Sequence, residues 1–146
     1  MPVAERVASV TWNGDLMNGS GTLTLKSSGG GPFPVTWAAR AEAPAGKTSP
    51  EELIAAAHAT CFSMAFANGL ASDGHQPQKL DVTATCVLDR VDGKLRIVAV
   101  RLHVLGRVPG IDAAAFRTAA EAARDACPVS NALKDNVEIT VEARLD

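Results

Sequence analysis

Ser49-Pro-Glu-Glu-Leu-Ile-Ala-Ala-Ala-His-Ala-Thr-Cys61-Phe-Ser-Met-Ala-Phe-Ala67 carries every local signal of one long helix. The Ser49 hydroxyl can accept from the first turn, Pro50 suits the first helical position, and Glu52 completes a capping box. Leu53, Ile54, Ala57, Cys61, Met64 and Ala65 make an apolar stripe at three-to-four spacing, while Ala56, Ala59, Phe62 and Phe66 fill other faces. A helix apolar nearly all round belongs in the middle of something. A chain of 146 residues can hardly surround it alone, so a second subunit is expected to cover part of it.

Short strands lie to either side. Ser9 and Thr11 alternate with Val10 and Trp12, and Gly21-Thr-Leu-Thr-Leu25 repeats the two-residue period, as half-buried strands do. Asn13-Gly14 and Asn18-Gly19 mark turns, and Ser27-Ser-Gly-Gly-Gly-Pro32 marks a break before a short strand expected over 35–39. Beyond Gly74, two longer strand patterns over 80–88 and 95–105 are joined by a turn at 89–93. Asp112 is placed to cap an alanine-rich helix ending near Asp125, packed through Phe116, Ala119, Ala120 and Ala123. A short helix from Pro128 to about Lys134 follows. Val137, Ile139, Val141, Ala143 and Leu145 then alternate through a last strand. No repeat or second domain is visible; residues 1–146 read as one α+β domain.

A net charge of −2 does not steer the molecule toward nucleic acid or an anionic membrane. No segment is expected to cross a bilayer. Met-Pro-Val-Ala-Glu5-Arg6 does not open like a secretory signal, so a cytoplasmic address is expected. Three cysteines there do not suggest a disulfide framework. With no Cys-x-x-Cys pair and with His58, His75 and His103 scattered, neither metal nor other cofactor is expected.

Two of the thiols stand in unusual settings. Cys61 sits in the apolar helix, where an unperturbed pKa of about 8.5 leaves roughly 3% thiolate at neutral pH. Burial lowers that fraction further. Reaching a pKa near 7 takes roughly 2 kcal/mol of stabilisation beyond the cost of desolvation. Arg40, the one cation following the uncharged run Phe33-Pro-Val-Thr-Trp-Ala-Ala39, is the candidate source. Glu51 could hold that guanidinium by a two-pronged contact, or could simply complement the first turn of its helix. Ten residues of helix put Glu51 about 15 Å from Cys61 along the axis. If it acts on such a thiol, it reaches Cys61 of another subunit across two antiparallel helices. Cys127 precedes Pro128 at the start of the last short helix, where unpaired backbone N–H groups favour a thiolate; a small buried residue would look the same. Cys86 shares a strand face with Val82, Ala84 and Leu88 and reads as core. His58, three residues before Cys61, allows a Cys/His nucleophile pair of the acyl-transfer kind, although no third residue is placed to orient it. A ligand-binding or stress-associated dimer with incidental thiols fits the same residues.

The long quoted stretch, with Val-Pro-Gly-Ile-Asp112 and Ala126-Cys-Pro-Val-Ser-Asn-Ala-Leu133, strongly resembles the osmotically inducible protein C and organic hydroperoxide resistance (OsmC/Ohr) family. Trp12-Asn-Gly-Asp15 and Gly19-Ser-Gly-Thr22 are similar to it as well, and the wording is nearer the OsmC branch. The resemblance implies antiparallel sheets wrapped around a long central buried helix in an intertwined homodimer with sites at the subunit interface. It implies a thiol-dependent peroxidase that reduces organic hydroperoxides, and hydrogen peroxide more weakly. Cys61 would be the attacking thiol, Cys127 the resolving thiol, and Arg40 and Glu51 the activating pair. A lipoyl-type or thioredoxin-type dithiol would return the enzyme to its reduced state.

Overall fold

The computed structural model describes Met1–Asp146. By chain contacts it divides into two units, Met1–Pro50 and Glu51–Asp146.

The first unit is an antiparallel meander of β1 (Ser9–Asn13), β2 (Ser20–Leu25) and β3 (Gly30–Val35). The β1–β2 turn closes where the Asn-Gly pairs predict it. The Asp15 carboxylate accepts from the Asn18 backbone N–H at 2.8 Å, and Gly14 takes a left-handed φ of +90°. These Asn18 hydrogen bonds hold the Asp15 carboxyl below its ordinary value. The expected strand over 35–39 is a misreading. β3 ends at Val35, and Trp37–Ala41 forms a helical turn, α1, capped by the Thr36 hydroxyl accepting from Ala39 N–H at 3.1 Å. The alanines follow their helix propensity once Thr36 supplies the cap. The prolines at 32 and 34 stay in strand because β3 lies at the sheet edge, where a missing N–H donor is tolerated. Arg40 rides on α1, half-buried.

The second unit holds helix α2 (Pro50–Ser72), strands β4 (Lys79–Val91) and β5 (Lys94–Arg107), helices α3 (Ala113–Ala126) and α4 (Pro128–Leu133), and strand β6 (Glu138–Leu145). Asp92 and Gly93 take φ of +50° and +75° to make the tight turn between β4 and β5, three residues shorter than the expected 89–93. β6 lies on the other side of β5 and runs parallel to it, Leu102 opposite Val141. This departs from all-antiparallel sheets. A parallel neighbour needs a crossover, and α3 and α4 supply it. Asp112 caps α3 as expected, its carboxylate accepting from Ala115 N–H at 2.8 Å.

Phe62, Phe66 and Leu70 of α2, Val100, Leu102 and Val104 of β5, and Phe116, Ala120 and Ala123 of α3 form the core. Phe66 stacks between Phe62 and Phe116 at centroid distances of 5.5 and 5.0 Å. A side chain at Gly106 would meet the Phe116 ring at 2.4 Å, so that strand position must be bare for α3 to dock.

α2 differs from expectation in two ways. Its buried stripe is Glu51, His58, Phe62, Phe66 and Leu70, not the Leu53–Cys61–Met64 line, and the Met64 side chain is 67% exposed. The sheet and α3 wall the helix on one side only, and the two rings dock better there than alanines do. It is also long and apolar enough to cross a membrane by length and composition, contrary to the expectation from sequence. Its charges sit only in the first turn, and the remainder mixes alanine and larger apolar side chains with small polar groups.

Candidate thiol site

α2 presents Cys61 on the border of its buried stripe, half-buried and packed against the core. α3 ends at Cys127, which is also the N-cap of α4, with φ −67° and ψ 123°. Pro128 occupies the first position of α4, where it stiffens the start and removes an N–H that would have no helical partner. Cys127 is fully buried. Both cysteines are free thiols.

The fold brings these two sulfurs together. The Cys61 thiol interacts with that of Cys127 and with the Val129 backbone. Val129 N–H, in the first turn of α4, is one of the amides a helix leaves unpaired. The helix-start amide expected to favour a Cys127 thiolate therefore serves Cys61. Burial pushes the Cys61 thiol above its ordinary pKa, the Val129 amide pulls it down, and the contact with Cys127 and its charge push it up again. The net direction is upward. Two adjacent thiols resist a shared negative charge.

Glu51 is buried at the head of α2. Within Glu51–Asp146 its charge acts on Cys86, whose thiol is pushed up first by burial and then by that carboxylate. Cys86 packs against the core, as its strand pattern predicts.

His58 does find an orienting partner, against expectation. Its Nε2 lies 2.7 Å from Ser130 Oγ, both side chains being buried, while Nδ1 has no hydrogen-bond partner. Ser130 and Val129 are the site residues that sequence reasoning missed. The available signal was their spacing: Ser130 follows Cys127 by three residues, as His58 precedes Cys61 by three. Burial holds the His58 pKa below its ordinary value. A depressed folded pKa means the neutral ring adds stability above the unfolded value of 6.5, lost as pH falls through the folded value. The urea midpoint is thus expected to drop between pH 7.5 and pH 5 by more in the native chain than in His58→Gln, which has no proton to gain.

The sequence model of the OsmC-like protein family matches residues 43–142. The chain is 42% identical over 134 residues to Peroxiredoxin OsmC of Escherichia coli K12, covering 92% of each chain. It is 34% identical over 95 residues to the organic hydroperoxide resistance protein of Xanthomonas axonopodis pv. citri, covering 64% of this chain and 65% of that one. Among solved structures, OhrB of Bacillus subtilis, an organic hydroperoxide resistance protein, superposes with a TM-score of 0.75 at 26% identity. That match covers 94% of this chain and 98% of OhrB.

Proposed function

Since the chain belongs to the OsmC-like family, we propose that it is a cysteine-based peroxidase that reduces organic hydroperoxides to alcohols. The observation that carries this reading is the interaction between the Cys61 and Cys127 thiols, 66 positions apart, one half-buried and one fully buried. The relatives' names, a peroxiredoxin and a hydroperoxide resistance protein, point the same way.

Four steps follow. The Cys61 thiolate attacks one peroxide oxygen, the O–O bond breaks, and the alkoxide takes a proton to leave as alcohol. Cys61 is left as a sulfenic acid. That group condenses with the Cys127 thiol, forming a disulfide and releasing water. A lipoyl-type or thioredoxin-type dithiol then reduces the bridge by exchange. Thiolate formation is the demanding step, because Glu51–Asp146 pushes the Cys61 pKa upward. A cation must reverse this, and Arg40, held by Glu51, is the group assigned to it. The uncovered apolar side of α2, Met64 included, supports a homodimer in which a second subunit completes each site. That arrangement also answers the geometry of Glu51, which sits ten residues up the helix from its own Cys61. The site calls for no cofactor, nucleic acid or membrane, and the enzyme would work in the cytoplasm. His58, bonded to Ser130, is poorly placed as the base of an acyl-transfer pair.

Steady-state reduction of cumene hydroperoxide and of hydrogen peroxide, with dihydrolipoamide or thioredoxin as donor, tests the reading. The bulky substrate is expected to be preferred with at least one donor; no peroxide consumption with either would refute it. Arg40→Ala is expected to raise the Cys61 pKa by about one unit or more, the usual effect of losing an adjacent cation, in a thiolate absorbance titration. An unchanged curve would remove Arg40 from the site.

A further inference from the structure

His58 and Ser130 are 0% and 4% exposed, 72 positions apart, and take no part in the four steps above. We propose that their hydrogen bond is a positioning latch, holding the start of α4 against α2 so that the Cys127 thiol stays on the Cys61 sulfur during condensation. The inference rests on the peroxidase reading and concerns its third step alone.

The register supports a latch. Moving along α2 from His58 to Cys61 matches moving back along α4 from Ser130 to the Cys127–Val129 turn. On α2 the polar pair therefore lies three residues, ~4.5 Å along the helix axis, from the sulfur pair. α4 has six residues, and its N-cap side chain makes no capping bond. A helix so short does not hold itself together, so tertiary contacts must place Cys127. Apolar packing of Val129 and Leu133 against the core supplies much of this but fixes no direction. The buried hydrogen bond does, at 2.7 Å. Letting go is disfavoured as well. Nδ1 already lacks a partner, and release of Ser130 would leave both ring nitrogens unsatisfied in the core.

The step being positioned is exacting. The S–O bond of the Cys61 sulfenic acid breaks as the S–S bond forms. The hydroxide leaves as water with the proton of the Cys127 thiol. The sulfurs must close to about 2.05 Å, and a misplacement of about 1 Å can cost a hundredfold in rate. Attack on peroxide needs only Cys61, so the latch should not affect it.

Single-turnover oxidation with one equivalent of cumene hydroperoxide separates the two steps. Peroxide loss reports the first, while dimedone trapping and intact mass report the lifetime of the sulfenic acid. Ser130→Ala and His58→Asn both remove the bond, since an asparagine amide reaches only the Nδ1 position. Both are expected to keep the first step within about twofold while slowing disulfide formation about tenfold or more. Ser130→Thr keeps the hydroxyl and His58→Gln reaches the Nε2 position, so both should restore condensation. A purely structural role would instead lower thermal stability and leave the ratio of the two rates unchanged, and would overturn the latch. So would condensation at the native rate in either Ser130→Ala or His58→Asn, and one folded variant suffices for that test. If the native chain forms neither sulfenic acid nor disulfide, the peroxidase reading fails and the latch goes with it.

Discussion

Cys61→Ser is expected to reduce alkyl hydroperoxide turnover by at least about a thousandfold, equivalent to about 4 kcal/mol of barrier. A serine hydroxyl is almost wholly protonated at neutral pH, and its oxygen cannot accept the peroxide oxygen as a stable acid that a second thiol then attacks. The change is nearly isosteric, so folding should survive: Cys61 borders the core cluster, whose bulk comes from Phe62, Phe66 and Leu70. Cys86→Ser is the matched control. Burial and the Glu51 charge both hold the Cys86 thiol protonated, so its loss should leave turnover within about twofold, as for a thiol that never becomes the nucleophile. Residual hydroperoxide measured over time settles both. A Cys61→Ser protein with native turnover, or a Cys86→Ser protein without any, would place the chemistry on the wrong sulfur.

Much of the fold could be read locally, because its signals act within a few residues. Asp112 caps α3, Pro128 opens α4, and the alternation from Ile139 to Leu145 survives as the inward face of β6. The failures fall where tertiary context decides. Residues 35–39 read as strand because Val, Thr and Trp favour extended chain, and the Thr36 cap tips Trp37–Ala41 to helix. The direction of β6 is invisible in its own pattern, since parallel and antiparallel strands alternate alike. α2 carries apolar groups on every side, so sequence could not say which stripe would face β5 and α3. The same limit governs the site. Each thiol motif was recognisable by itself, but only the fold joins Cys61 to Cys127. Ser130 drew no attention because its importance lies wholly in the histidine it meets.

Cys127→Ser should separate the first half of the cycle from the second. On the proposed mechanism, the proximity of Cys127 to Cys61 would make it an intramolecular partner for the sulfenic acid, with effective molarity far above any dissolved thiol. Without that sulfur, the first equivalent of hydroperoxide is expected to be consumed at a rate within about twofold of native. Dithiol-supported turnover should then fall by about a hundredfold or more. The protein should accumulate Cys61 sulfenic acid, trapped by dimedone, and then sulfinic acid as more peroxide arrives. Exposure gives the expectation its direction. Cys127 is wholly buried and Cys61 half-buried, so an external dithiol meets the disulfide at the Cys61 sulfur and expels Cys127 into the core as the leaving thiol. In the variant the same dithiol must instead attack a sulfenic acid, a species that excess peroxide competes for. Normal cycling of Cys127→Ser with either donor would mean that the buried sulfur resolves nothing, and that its contact with Cys61 is packing alone.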